Sequence, residues 1–315
     1  MLIYIARRAA FAVFLVFAVS SAALVLARLA PGDYVTTSLG IDARRETIEQ
    51  ARARYGLNRS IGEQYRDWVI RAARLDFGQS LIYDRPVADL IPERAANTAV
   101  LALTALLAAT LVGLPLGVIT GSRPGGVVPL AIRATSLILL SMPPLLTSLF
   151  LVFVAARTGW LPVGGMSAAG SAGGASLDLL RHLVVPAAAL AMPLAAMFER
   201  LQAQAMSDVV GQPYVLATLA RGVPRSRVVW RDALKAALRP VAALYGLVVG
   251  TLLSGSFAVE VITAWPGLGR LMLDALLARD VYLVAGCAAA GSLFLAAGTL
   301  MSDAALALVD PSTSE

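Results

Sequence analysis

Four cations recur at four-residue intervals in one polar stretch: Arg227, Arg231, Lys235 and Arg239. On a helix this spacing stacks them in a single basic stripe, while Val228, Leu234 and Leu238 turn elsewhere. Such a stripe can hold an acidic surface, either of a protein or of anionic lipid. Reactive chemistry is scarce by comparison. One cysteine, Cys287, excludes an intramolecular disulfide, and one histidine, His182, excludes a histidine metal cluster. A phosphate-binding loop needs Gly-x-x-x-x-Gly-Lys followed by Ser or Thr; Lys235, the one lysine of the chain, is followed by Ala236. ATP therefore has no site here, and no nucleophile–base pair or paired carboxylates point to an enzyme. Acids that could serve ion-driven transport reduce to Glu199, Glu260 and Asp303, each at or towards the end of an apolar run.

The elements that must position the stripe are apolar. Of 315 residues, 58% are hydrophobic and 15% are charged, against about 45–50% and about 25% in soluble domains. Most of the chain should therefore meet lipid. The net charge of +6 is spread over loops between apolar runs, which disfavours a nucleic-acid partner. Arg7 and Arg8 precede a first run from Ala9 to Ala27, longer than a signal-peptide core and followed by Arg28 and Pro31. Further spans are expected at Asn97 to Gly121, Val127 to Ala156, His182 to Arg200, Val241 to Val259 and Tyr282 to Val309. Six spans place both termini on the cytoplasmic side, as does the basic stripe between the fourth and fifth.

Between the first two spans, residues 31–94 form the largest polar piece, with ten arginines balanced by ten acids from Asp33 to Arg94. Ser60-Ile61-Gly62-Glu63 has the spacing of a capping box, and Ile61, Tyr65, Trp68, Ala72 and Leu75 follow at helical intervals. That face is expected to pack on neighbouring spans or on the membrane surface. The Arg44 to Tyr55 stretch is helix-like but too charged to be buried. Ser122-Arg123-Pro124-Gly125-Gly126 reads as a turn. In the third span Ser141-Met142-Pro143-Pro144 removes two backbone donors and predicts a kink or break, which serves either packing or a polar path. Residues 163–176, rich in Gly, Ala and Ser, read as a flexible loop, and Trp265 to Arg270 as a tight turn before a short interfacial helix.

Several short motifs then stand in one order: Ala6-Arg7-Arg8, Pro31-Gly32-Asp33, Tyr55-Gly56-Leu57-Asn58, Leu75-Asp76-Phe77-Gly78-Gln79-Ser80, Ser141-Met142-Pro143, Trp265-Pro266-Gly267-Leu268-Gly269 and Asp310-Pro311. In this order, over nearly the whole chain, they resemble the permease subunits of bacterial ATP-binding-cassette importers, in the dipeptide, oligopeptide and nickel branch. The resemblance implies an all-α polytopic membrane protein with the six-helix type I importer permease fold, in the bacterial cytoplasmic membrane. It divides the chain into a first span (1–30), an extracytoplasmic helical segment (31–94) and a five-span core (95–315) that contains a coupling loop (207–240).

That loop is similar to the family's EAA loop, which docks on a cytoplasmic ATPase. The coupling residues implied are Asp208, Gly211, Tyr214, Ala217, Arg221, Gly222, Arg227, Arg231 and Pro240. Gly222 is expected at positive φ between two short helices, with Pro224 in the first turn of the second. The chain departs from the family pattern at Leu216-Ala217-Thr218, where Glu-Ala-Ala stands, at Asp232 in place of histidine and at Arg239 in place of leucine. Ser141, Met142, Pro143 and Pro144 are expected on the translocation path, and Trp265, Pro266 and Gly267 at its outer gate. The implied partners are a second, homologous permease, two ATPase subunits carrying ATP and magnesium, an extracytoplasmic binding protein and membrane lipid. No cofactor is expected on this chain. Peptides, glutathione or a nickel complex would be the cargo; a passive channel or lipid-bound scaffold is the reading from another class.

Overall fold

The structure is a computed structural model that describes residues 2–39, 44–123, 125–167 and 175–309. Side chains 2–5, 175–176, 247, 251, 253–254 and 301–309 lie outside the description, as do Pro124, residues 168–174 and Asp310-Pro311. Every regular element among the described residues is helical, save one isolated bridge between Gln79 and Pro86. Four helices are long and apolar enough to cross a membrane, and up to six spans result if each of two bent pairs counts as one. The protein is thus a multi-pass helical membrane protein. The chain forms two compact units, Met1–Thr98 with Pro266–Ala296, and Ala99–Trp265 with Ala297–Glu315.

The first unit contains α1 (Leu2–Leu29), α2 (Tyr34–Leu39), α3 (Arg45–Arg54), α4 (Ile61–Ala72), the start of α5 (Val87–Ser122), α13 (Leu268–Leu277) and the first turns of α14 (Val281–Val309). α4 opens with the expected capping box: the Glu63 amide donates to Ser60 Oγ at 3.3 Å and the Ser60 amide to Glu63 Oε2 at 3.1 Å. Its buried face is Gln64 and Trp68, and Trp68 packs with Leu24 of α1 and Ala285 of α14. Ile61 and Leu75 do not join that face. They are 42% and 77% exposed, because Ile61 begins the helix and Leu75 lies beyond its end at φ 63°. α3 buries no residue, in line with its charge.

Asp33 organises the α2–α3 pair. Its Oδ1 accepts the Thr36 amide at 2.9 Å and caps α2, while its Oδ2 meets Arg52 Nε of α3 at 2.6 Å. Burial raises the Asp33 pKa, but the Thr36 amide and the Arg52 guanidinium outweigh it and hold the carboxyl below its ordinary value. A second carboxylate, Asp280, fastens the loop before α5. Wholly buried, its Oδ2 accepts Ser80 Oγ at 2.7 Å, the Leu81 amide at 2.6 Å and the Ile82 amide at 3.2 Å, while Oδ1 caps α14 through the Leu283 amide at 3.1 Å. The Leu75–Ser80 motif is thereby explained. Asp76 accepts the Gly78 amide at 2.9 Å, and Gly78, at φ 94°, lies against the Tyr282 ring.

In the second unit α8 (Ala175–Val210) is the central rod, packed by α6 (Val127–Ser141), α7 (Pro144–Thr158) and α12 (Arg239–Ile262). It extends about three turns past Glu199 and Arg200, where the sequence suggests its end. α5 likewise begins at Val87, ten residues before the expected Asn97. α5 meets α8 through Gly113, Gly117 and Gly121: a Cβ at each would stand 2.5, 2.6 and 2.4 Å from the carbonyl oxygens of Ala195, Glu199 and Ala203. Three glycines one turn apart let the two backbones touch, the small-residue packing that membrane helices use in place of a hydrophobic drive. The loop after α7 is pinned at its start, since the Gly165 amide donates to Thr263 O at 2.9 Å. Its continuation, 168–174, lies outside the described residues.

Candidate functional site

The polar segment folds as α8's last turn, α9 (Pro213–Ala220) and a rod made of α10 (Arg225–Arg227), a π-helical stretch (Val228–Ala233) and α11 (Leu234–Ala237). Pro213 stands in the first turn of α9, where its missing N–H costs nothing. Gly222 turns the chain at φ 84° with nothing within 4 Å of a Cβ, so backbone conformation and not space requires glycine. Pro224 sits one position earlier than expected, at the N-cap of the rod, with φ −53° and ψ 133°. Arg221 folds back on α9, Nε donating to Ala217 O at 3.4 Å and Nη2 to Thr218 Oγ1 at 3.3 Å, which satisfies the carbonyl end of that helix.

One face of this loop is core and the other is open. Val215, Val228, Val229, Ala233 and Ala237 are buried together with Val118 of α5 and with Ala205 and Met206 of α8. The five-residue step from Val228 to Ala233 follows from the wider π turn, which keeps both on the inner face. On the outer face Arg227, Arg231, Lys235 and Arg239 are all exposed, so the stripe inferred from spacing exists. Asp208, Gly211, Tyr214, Ala217, Arg221, Gly222 and Pro240 are exposed as well. Asp208 accepts Gln204 Nε2 at 3.0 Å, and Pro240 stands in the first turn of α12. Three large apolar side chains lie among them: Tyr214, Leu216 and Trp230 are 49%, 53% and 46% exposed. Trp230 was legible as an aromatic one position before Arg231, yet charge spacing alone does not select it.

The chain bends sharply where the third span is expected. α6 and α7 diverge by 104° across Met142-Pro143. Met142 is extended at φ −94° and ψ 116°, as a residue before proline must be, and Pro143 caps α7 while Pro144 opens it. Ser141 and Pro143 are exposed, whereas Thr147, one turn into α7, is buried. Trp265, in the same unit, is wholly enclosed among Leu101, Leu183, Leu194 and Val259. Its amide donates to Glu260 O at 2.9 Å, closing a turn in which Ala264 takes φ 52°. Pro266 and Gly267 belong to the other unit, where Pro266 O accepts Asn97 Nδ2 at 2.9 Å and the amide after Gly267 donates to Thr98 Oγ1 at 2.8 Å.

Glu199 and Glu260 are wholly buried; Glu260 lies in the last turn of α12, at the span end expected from sequence, whereas Glu199 lies about three turns before the end of α8. Glu199 Oε1 accepts Thr120 Oγ1 at 2.6 Å, while its Oε2 and both polar atoms of the neighbouring Gln202 have no hydrogen-bond partner among the described residues. Asp303 is among the residues whose side chains lie outside the description. His182 is buried, its Nδ1 2.9 Å from Asp178 O within α8, a local and structural contact. Among the described residues no group of three or more metal-ligating side chains converges.

The fold defines a helical membrane protein with a sharp bend between α6 and α7 and an exposed basic two-helix loop. Comparison with known proteins gives that class its family: the chain belongs to the inner-membrane components of binding-protein-dependent transport systems, the permeases of ATP-binding-cassette importers. The family's main model matches residues 113–315, and the model of its N-terminal region matches residues 1–102. The oligopeptide transport system permease protein AppB of Bacillus subtilis is 32% identical over 310 residues, 98% of each chain. The di/tripeptide transport system permease protein DppB of Pseudomonas aeruginosa is 33% identical over 304 residues, 90% of each. The glutathione transport system permease protein GsiC of Shigella flexneri is 31% identical over 284 residues, 89% of this chain and 88% of that one.

Proposed function

We propose that this permease forms half of the translocation path for a peptide-like solute and is driven through its 207–240 loop by cytoplasmic ATPases. The observation that carries the reading is the two-sided loop: apolar residues lock its inner face to α5 and α8, and cations with Tyr214, Leu216 and Trp230 cover its outer face. Aromatic side chains and arginine are the residues enriched at protein interfaces. A stripe that only lay on lipid headgroups would not need the inner face fastened to two spans. Oligopeptide, di/tripeptide and glutathione permeases among its relatives support a peptide-like cargo.

In this reading α6 with α7 as one span and α12 as another bring the four long apolar helices to six spans, both termini are cytoplasmic, and residues 31–94 face the other side. A second permease, two ATPases holding ATP and magnesium, and an extracytoplasmic binding protein complete the complex, and this chain binds no cofactor. Nucleotide closes the ATPases, the loop moves with them, and the spans alternate between inward- and outward-open states. Ser141 to Pro144 face the path. Trp265, Pro266 and Gly267 are assigned to the outer gate.

Reversing charge with Arg227→Glu and Arg231→Glu tests the reading. Capture of the soluble ATPase by the permease in nanodiscs should fall below detection, while insertion and folding are unchanged. Undiminished capture would show that the basic stripe is not the docking surface.

A further inference from the structure

The carbonyl end of α5 is held from three sides. Helix termini leave their last four carbonyls without intrahelical partners, and here two of them receive guanidinium groups. Arg133 Nη2 of α6 donates to Thr120 O at 2.8 Å, and Arg225 Nη2 of α10 donates to Ser122 O at 3.0 Å. The third hold is the Thr120 hydroxyl, which donates to Glu199 of α8. Thr120 is wholly buried and Ser122 is 7% exposed. Cationic donors at a helix carbonyl end gain from both the charge-assisted bond and the helix dipole.

We propose that this end of α5 is the joint through which the docking loop drives the broken span, with Arg225 as its positioning residue. The inference rests on the reading of 207–240 as the docking loop. Arg225 lies three residues beyond the Gly222 turn, at the start of the rod that carries the basic stripe. A displacement of that rod pulls Ser122 directly. α5 cannot slide along α8 in answer, because Gly121 and Gly117 already stand against the Ala203 and Glu199 carbonyls with no room for a methyl group. The pull therefore reaches α5 and α8 as one body. Arg133 then carries it into α6, which runs about 12 Å further to Ser141 and the Met142-Pro143 break. Spacing identifies Arg227 and Arg231 as the outer stripe; Arg225, out of that register, is also exposed but lays its Nη2 on the Ser122 carbonyl at the end of α5.

The experiment uses the whole complex in nanodiscs, with ATPases and binding protein, and reads basal ATP hydrolysis and its stimulation by the binding protein. Arg225→Met keeps the stem and removes the donor. It should retain ATPase capture and basal hydrolysis within about two-fold, and lose about ten-fold of the stimulation, as expected for loss of a charged hydrogen bond. Arg225→Lys should recover most of it. Arg133→Met, on the opposite side of the same helix end, should give the same uncoupled signature and stands in if the first variant does not assemble. Wild-type stimulation in either methionine variant would overturn the proposal. Loss of ATPase capture in Arg225→Met would also overturn it, by making Arg225 part of the docking surface. Failure of the docking reading itself is distinguishable, since Arg227→Glu/Arg231→Glu would then still capture the ATPase.

Discussion

At the scale of single residues, two carboxylates hold the first unit together, Asp280 wholly buried and Asp33 partly so, and each makes a prediction. Asp280 serves four donors with two oxygens, three of them on Oδ2. Asparagine has one carbonyl oxygen and cannot serve both the Ser80–Ile82 loop and the Leu283 amide. Asp280→Asn should therefore cost nearly as much as Asp280→Ala, about 2–4 kcal/mol for buried donors left unpaired, read as a lowered unfolding midpoint in nanodiscs. Asp33 has the opposite handle, acid. Its carboxyl is held below the ordinary value of 3.8, so its contribution is complete above that pH and is lost as pH falls through the lower folded value. Proteolytic nicking of residues 31–58 should rise in that acid window in the wild type. Asp33→Asn should nick readily at neutral pH and lose the dependence. Asp33 could be suspected from Pro-Gly-Asp at a span exit. Asp280 could not, because its partners lie about 200 positions away in the chain.

Among elements, what was legible is what one stretch of chain decides for itself. The capping box, the positive φ at Gly222, the exposed stripe and the break at Pro143-Pro144 all follow from local rules of sterics and spacing. The 104° angle, the π turn and the length of α8 depend on what packs against them, and so lay outside local reading. The glycine triplet is an intermediate case. Gly113, Gly117 and Gly121 stand four residues apart in plain view, and only the structure shows that Ala195, Glu199 and Ala203 are their partners. Gly117→Ala places a methyl 2.6 Å from the Glu199 carbonyl and must push α5 off α8. We expect a loss of about 1–3 kcal/mol, typical of overpacking. Gly291→Ala, within α14 and with nothing within 4 Å of its Cβ, should instead be neutral or gain up to about 1 kcal/mol from helix propensity. Parallel unfolding midpoints of the two variants check this; equal losses would remove the close-approach argument.

At the scale of the whole molecule, the candidate path is where one chain stops being sufficient. A cleft of about 380 Å³, lined by Asp33, Glu49, Arg52, Leu57 and Asn58, belongs to the α2–α3 pair; an apolar groove of about 300 Å³ lies between α5, α6 and α8. Neither includes Ser141 to Pro144. Those residues instead sit on a bend flanked by exposed Leu137, Ile138, Leu145, Leu146, Leu149 and Phe150, an apolar surface that lipid or a second permease must cover. On the proposed reading a second permease covers it, and the bend is then one wall of a path closed by two chains. Position along α7 makes the idea testable, because Ser141 is exposed while Thr147 is 1% exposed within its own chain. In the assembled complex, a cysteine at Ser141 should react with maleimide in one nucleotide state and be protected in the other. A cysteine at Thr147 should stay protected in both unless α7 itself unpacks from α8 and α12. Equal labelling at 141 with and without trapped nucleotide would take the bend off the path. Labelling at 147 that alternates with nucleotide would identify α7 as a moving wall, with the Met142-Pro143 break as its hinge.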